Sequence, residues 1–370
     1  MDMISCSSKW FGRSLLHGLW LAMAALLAET PCLLHFCIAR SAPQPLQRFE
    51  FTETHMGSPV HIVLYTTETQ TANNAARSAY ARVAQLDQIF SDYNPQSELM
   101  KLVDHFAEQD HEPVSVSPDL FFLFQKSQAI SEATCGAFDI TAAPVIRQWR
   151  RARRDRKLPT TKNLQEAISR VGYRRIKLMQ PGRNVLLEPG TKLDLGGIAK
   201  GYTAMEALKV LRMLDIQSAL VSVAGDIAVG SAPPNQAGWR VDVAGLNPTK
   251  DEPLFHLQLI NASISTSGDA ERFVEIEGRR YSHIVDTKTG LGIERRATVT
   301  VVATDGSAAD AYATAFYALG VKGPDLMGHL KNPPELAVSW LEQSANGKFH
   351  KRTNQAFDKL AKNKNPTILH

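Results

Sequence analysis

The chain has 370 residues, 44% of them hydrophobic and 21% charged. That is enough apolar material for one large domain or two ordinary ones, and it excludes a disordered chain and a polytopic membrane protein. Lysine and arginine number 41 against 37 acidic residues, a net +4 that falls to +3 beyond residue 42 and argues against a dedicated nucleic-acid binder.

Residues 1–42 are expected to form an export signal or an N-terminal membrane anchor. Lys9 and Arg13 precede the uncharged run 15–28, and a second apolar patch covers 32–39 after Glu29-Thr30-Pro31. A positive end held inside, followed by an apolar run, is how an exported chain begins. Cleavage near 39–42 and retention as an anchor both stay open. In either case the rest of the chain is expected to be exported, periplasmic or attached to the outer face of the inner membrane, because no later run is long enough to span a bilayer. Cys6, Cys32 and Cys37 lie in this first segment and only Cys135 lies beyond it. The main domain, set at 43–353, therefore has no internal disulfide and no cysteine-based zinc site.

After a linker over 43–48, apolar residues alternate on both sides of Met56-Gly57, which predicts a hairpin. The spacing of Ala76, Tyr80, Val83, Leu86 and Phe90 predicts a helix over 72–90. Leu120, Leu123, Phe124 and Ile130 predict another over 119–133, stopped by Gly136. Between Trp149 and Pro159 runs a basic stretch that includes Arg150, Arg151, Arg153, Arg154, Arg156 and Lys157. It reads either as a solvated helix end and loop or as an attraction for an anionic substrate or acidic partner. Strands are expected near 175–178, 184–187, 219–223, 239–243, 263–266, 272–276 and 298–303, with helices at 199–214, 308–319 and 325–330. A polar, lysine-rich C-terminal tail is set off at 354–370, expected to be a helix fraying into solvent. Many short strands with helices inserted singly, and no regular strand–helix alternation, give an α+β class.

Four segments could carry chemistry. Asp194-Leu195-Gly196-Gly197, followed by Lys200, puts paired glycines directly before a helix, where free amides and the positive helix end favour phosphate. The same pattern also makes a plain tight turn. Asp310 and Thr314 lie at i and i+4 on one helix face, hard oxygen donors of the kind Mg²⁺ accepts, although an aspartate near a helix start is favoured by the helix dipole in any case. His283, three residues before Asp286, is a candidate general base or a satisfied structural histidine. Ser265-Thr266-Ser267-Gly268-Asp269 is a polar binding loop or a strand-ending turn.

In this order the segments resemble those of the ApbE-like FAD:protein FMN transferases. The shared motifs are Met56-Gly57, Phe90-Ser91-Asp92-Tyr93-Asn94-Pro95, Gly136-Ala137-Phe138-Asp139-Ile140-Thr141, the run 193–202, Gly225-Asp226-Ile227, 265–269, Ser282-His283-Ile284-Val285-Asp286 and 309–315. Eight motifs in order are far more specific than one Gly-rich loop. The resemblance implies mixed, mainly antiparallel sheets with inserted helices in a T-fold-related architecture. It implies an FAD site lined by Met56, Tyr93, Ala137, Phe138, Asp139, Asp194, Lys200, His283 and Ile284, with Tyr93 and Phe138 suited to pack on flavin or adenine rings. It also implies a Mg²⁺ site from Asp310 and Thr314, completed by backbone oxygen near Gly197 and Ala313.

The implied reaction takes FAD as substrate, with Lys200 on the pyrophosphate and His283, oriented by Asp286, deprotonating an acceptor hydroxyl. The implied partner is a protein bearing a flavinylated Thr or Ser, a subunit of an exported or membrane redox complex. The alternatives are an FAD pyrophosphatase giving FMN and AMP, and a non-catalytic flavin-binding maturation factor. One departure from the family pattern is Ala224-Gly225 where a glycine pair is expected, which adds one methyl beside Asp226.

Overall fold

The computed structural model describes residues 44–108, 112–247, 252–270, 272–320, 323, 335–344 and 346–362. The expected export segment, the helix expected at 325–330 and the end of the tail at 363–370 lie outside the described residues.

The alternating residues on either side of Met56-Gly57 form β1 (Gln47–His55) and β2 (Ser58–Thr66), paired antiparallel with His55 opposite Ser58. Both turn residues have positive φ, +51° and +65°, the two-residue turn whose twist matches that of the strands. The helices of the first half are α1 (Thr69–Phe90), α2 (Glu98–His105), α3 (Pro118–Ala133), α4 (Ala143–Asp155) and α5 (Thr161–Ile168). Among them lie β3 (Val114–Ser115), then β4 (Ile176–Met179) and β5 (Asn184–Leu187), which form a small sheet in the order β3-β5-β4. As expected, Gly136 ends α3: its amide turns back to the Ser131 carbonyl at 2.7 Å.

In the second half follow α6 (Ala199–Met213), β6 (Ala219–Val223), β7 (Asp226–Val229), β8 (Trp239–Val243), β9 (Phe255–Leu259) and β10 (Ala262–Gly268). They lead to β11 (Phe273–Ile276), β12 (Arg279–Ser282), β13 (Arg296–Ala303), α7 (Gly306–Leu319), β14 (Ala337–Gln343), β15 (Phe349–Thr353) and α8 (Gln355–Lys362). The main sheet runs β1-β2-β6-β7-β10-β13-β14-β15, antiparallel at every pairing. The α+β class with mainly antiparallel sheets and inserted helices is therefore what the chain adopts.

Small residues bring the helices close to this sheet. Ala72, Ala75, Ala76 and Ala79 of α1, with Ala204 and Ala207 of α6, pack on Ile62, Leu64 and Val221. Arg82 then ties three helices together, at 2.5 Å from Asp119 of α3 and 2.7 Å from Glu206 of α6. α7 is almost wholly buried between α6, α3, β10 and β13. Asp305 caps it by accepting from the Ser307 and Ala308 amides. The β8–β9 ribbon and α8 form a separate core with strand residues such as Val229, Ile264 and Val302.

The basic stretch is a solvated helix end and loop: α4 runs to Asp155 with Arg151, Arg153 and Arg154 exposed, while Val145, Trp149 and Ala152 form an apolar stripe buried against Val274, Ile276 and Tyr281 of the β11–β12 hairpin. One expectation changes. The helix expected at the start of the tail set off at 354–370 is α8, but its Phe357 and Leu360 are buried, so the folded body runs past 353 to at least Lys362.

Candidate active site

The crossing of α6 and α7 gathers the charged residues. Lys200 stands in the first turn of α6, and its ammonium lies 2.5 Å from Asp226 and 3.4 Å from Asp310. The Gly201 amide donates to the same Asp310 oxygen at 3.2 Å. Asp226 follows the Ala224-Gly225 turn at the start of β7, and its second oxygen accepts from the Ser265 hydroxyl. Thr314, one turn after Asp310, lies 3.3 Å from the Ser267 hydroxyl, and a Cβ on Gly197 would sit 3.1 Å from the Thr314 oxygen. Ser265 and Ser267 fall on one face of β10 by strand alternation.

Burial, with the nearby Asp226 carboxylate, pushes the Asp310 carboxyl up to about 7, against the opposing pull of Lys200 and the Gly201 amide. Burial alone would lower Lys200, but Asp226 and Asp310 outweigh it and raise its pKa above the ordinary lysine value. Two buried carboxylates share one ammonium, which leaves negative charge unbalanced in a poorly solvated place. Hydroxyls of Thr314 and Ser267 and the backbone around Gly197 surround the spot. Among the described residues no three His, Cys, Asp or Glu side chains cluster as a metal cage. One or two carboxylates with neutral oxygens is the protein donor set Mg²⁺ uses, so these residues fit that ion.

His283 follows β12. Its Nδ1 lies 3.0 Å from the Arg272 carbonyl, and since a carbonyl only accepts, Nδ1 carries the proton and Nε2 keeps its lone pair. Burial pushes the imidazole down to about 4; the Arg272 carbonyl opposes this, and the charges of Arg272, Lys200 and Arg153 reinforce it. The side chain still reaches solvent, which screens those charges, and the ring is neutral at pH 7. Asp286 does not meet His283. Its carboxylate accepts from the Lys288 and Thr289 amides at 2.8 and 3.4 Å and so shapes the 286–290 turn.

The other expected residues divide into two groups. Asp194 accepts from the Gly196 amide at 2.8 Å and from Arg150 at 2.7 Å. Tyr93, on the loop after α1, is 76% exposed and offers an open ring. Phe138 is instead only 4% exposed, packed in the main core beside Gly197, so it supports the glycine turn rather than presenting a face. Asp139 accepts from the Thr141 amide and hydroxyl and caps a short turn, with Ala137 just before it. Met56 donates its amide to Asp87, and Ile284 packs on the main core. Ala313 is fully buried in α7 between the two expected ligands.

Sequence reasoning underrated two residues. Asp226 was legible only as part of a motif; the available signal was its place after a two-residue turn, which fixes its register, but not that Lys200 would meet it. Arg150 was hidden in a run of like charges.

The ApbE family model matches residues 56–338. The chain is 26% identical over 277 residues to an FAD:protein FMN transferase of Klebsiella pneumoniae, covering 74% of this chain and 83% of that one. It is 28% identical over 281 residues to one of Haemophilus influenzae, covering 74% and 80%. The crystal structure of the ApbE protein of Thermotoga maritima superposes with a TM-score of 0.75 at 25% identity, over 86% of this chain and 100% of that one. With the motifs in order, the antiparallel fold and a family match across most of its length, the chain belongs to the ApbE family.

Proposed function

We propose that this chain is an exported enzyme that transfers the FMN part of FAD to a Thr or Ser hydroxyl of a second protein and releases AMP. The observation that carries the reading is a neutral His283, its Nε2 lone pair free of the Arg272 bond, that feels the charge of Lys200, which is itself held in a buried cluster with Asp226 and Asp310. The names of the relatives support FAD as the substrate and a protein as the acceptor.

The acceptor hydroxyl attacks the FMN-side phosphorus, a new P–O bond forms, and the pyrophosphate bond to AMP breaks. His283 takes the hydroxyl proton at Nε2, and its Nδ1–H stays on the Arg272 carbonyl, which fixes the ring. Lys200 stands at the start of α6, where its charge and the positive end of the helix favour phosphate. Asp310 and Thr314, with backbone oxygens near Gly197 and Ala313, would hold Mg²⁺. When bound, that ion neutralises charge on the pyrophosphate and the leaving phosphate. As the anionic pyrophosphate arrives, it offsets the cations that depress His283 and raises its basicity when it is needed.

A second reading has a specific support. His283 reaches solvent, so water could take the acceptor's place and give FMN and AMP. A flavin-binding maturation factor without turnover has less support, because binding alone needs no poised base. The localisation rests on residues 1–42, and the acceptor would be a subunit of an exported or membrane redox complex.

The test is to incubate residues 43–370 with FAD, Mg²⁺ and an acceptor carrying a threonine flavinylation motif, and to weigh the acceptor by mass spectrometry. Covalent FMN that disappears with Asp310→Ala establishes transfer. FMN and AMP without labelling identify the pyrophosphatase, and unchanged FAD in both arms sinks the enzymatic reading.

A further inference from the structure

Arg150 behaves unlike its neighbours. Arg151, Arg153, Arg154 and Arg156 are exposed, whereas Arg150 turns inward and spans two carboxylates, at 2.6 Å from Asp92 and 2.7 Å from Asp194. Its guanidinium also lies 4.7 Å from the centre of the Tyr93 ring. The helix it stands on is anchored next door. Trp149 donates to the Gly290 carbonyl at 2.8 Å and packs on Tyr281, so α4 is fastened to the hairpin that leads into His283.

Arg150 thus joins three separate parts of the chain: the 91–95 loop with Tyr93, the 194–197 turn, and α4. The second link reaches further, because the Asp194 oxygen not bonded to Arg150 holds the Gly196 amide. That turn sets the start of α6, where Lys200 stands. A guanidinium can serve two carboxylates at once through separate nitrogens and still lie against an aromatic ring, whereas an ammonium is a single point charge. Without it, two poorly exposed carboxylates would face each other and the segments bearing them would separate.

We propose that Arg150 is a positioning residue of the dinucleotide site. It holds the Tyr93 loop and the Asp194 turn at a fixed separation, backs one face of Tyr93, and leaves the other face for an aromatic ring of the substrate. The assignment rests on the reading of the chain as an FAD-dependent transferase. The bridge itself is a property of the free protein, so it can be tested without substrate.

Two measurements on Arg150→Ala decide it. In FAD-free protein, hydrogen exchange of the segments 91–100 and 194–200 should quicken about tenfold, while 255–259, in the separate core of the β8–β9 ribbon and α8, keeps its wild-type rate. FAD affinity, read by flavin fluorescence, should weaken about 10- to 100-fold. Arg150→Lys should recover only part of the affinity. Asp92→Asn should weaken binding by itself but restore part of it in the Arg150→Ala background, where it removes the repulsion left between the two carboxylates, the non-additivity expected of one bridge.

Unchanged exchange in both segments overturns the proposal, as does wild-type FAD affinity in Arg150→Ala. Faster exchange everywhere, control segment included, also overturns it, because it marks general destabilisation. If the wild-type protein fails to bind FAD, the functional reading falls, and the exchange result still decides whether Arg150 holds the two segments.

Discussion

Gly201 of α6 and Gly306 of α7 touch backbone to backbone: a Cβ built on Gly201 would lie 2.0 Å from the Gly306 carbonyl oxygen, and one on Gly306 would lie 2.2 Å from that of Gly201. Real Cβ atoms do not approach so closely, so the crossing requires glycine on both sides. It is this crossing that lets the Gly201 amide reach Asp310 and sets Lys200 beside it.

Gly201→Ala should therefore force the two helices apart. We expect a loss on the order of 3 kcal/mol, at the upper end for overpacking, in urea unfolding. Turnover should fall further than stability does, since Lys200 and Asp310 would no longer be held together. An alanine variant of wild-type stability and activity would show that the helices slide without cost.

Asp310 gives a stability prediction with a definite sign. In metal-free protein its pKa is raised to about 7 from the ordinary carboxylate value of 3.8, so between those limits the folded state binds more protons than the unfolded one. Its contribution to stability is present at low pH and is lost as pH rises through about 7. Asp310→Asn should then stabilise the metal-free protein at pH 8, by on the order of 1 to 3 kcal/mol, with a smaller gain at pH 5 and none below the ordinary carboxylate pKa. The same variant should lose any rise of Tm with Mg²⁺. Thermal melts at the two pH values with EDTA or Mg²⁺ check this, and an Asn variant less stable than wild type at pH 8 refutes the charge argument.

His283 should make the acid limb of the pH–rate profile unusually low. With burial and cationic neighbours holding it at about 4, kcat/KM for FAD, which reports the free enzyme, should stay level down to near pH 5. The limb of kcat should lie higher, because bound pyrophosphate counters those cations. His283→Ala should lower kcat by about 10² to 10⁴ with FAD affinity little changed. A kcat/KM limb at pH 6.5 or above would contradict the environment assigned to this ring. The linked stability term opposes that of Asp310: a depressed histidine destabilises the fold as pH falls from 6.5 towards 4. Solvent access keeps this term small.

Ala224 holds φ at +51° in the turn before Asp226, with Gly225 at +95°. An alanine there is strained, and Ala224→Gly should stabilise the protein by about 0.5 to 1 kcal/mol in urea unfolding, with no loss of activity. A destabilised glycine variant would mean that the added freedom of the unfolded chain outweighs the strain relieved.

Local pattern carried much of this protein. The two-residue period around Met56-Gly57 and the helical spacing of Ala76, Tyr80, Val83, Leu86 and Phe90 determined those elements, because side-chain direction follows backbone geometry within a few residues. The i and i+4 placement of Asp310 and Thr314 was likewise legible, as was the turn before Lys200. Sequence obscured α4, where exposed arginines mask the stripe Val145, Trp149 and Ala152, and β14, whose run of buried residues lacks alternation because both its faces are covered, Val338 and Trp340 by the main core and Ala337 by the core that holds α8.

What the sequence determined by itself, then, is the identity of the elements, the family and the chemical kind of each site residue. Only the tertiary structure decided which of them meet. Lys200 pairs with Asp226, 26 residues away, as well as with Asp310, 110 residues away. Asp286 turns to its own loop and not to His283, Phe138 goes into the core, and Arg150 joins Asp92 to Asp194. The physical reason is range: periodicity and turn chemistry act between near neighbours along the chain, whereas ion pairing and burial depend on distances through space that sheet order and helix crossing set.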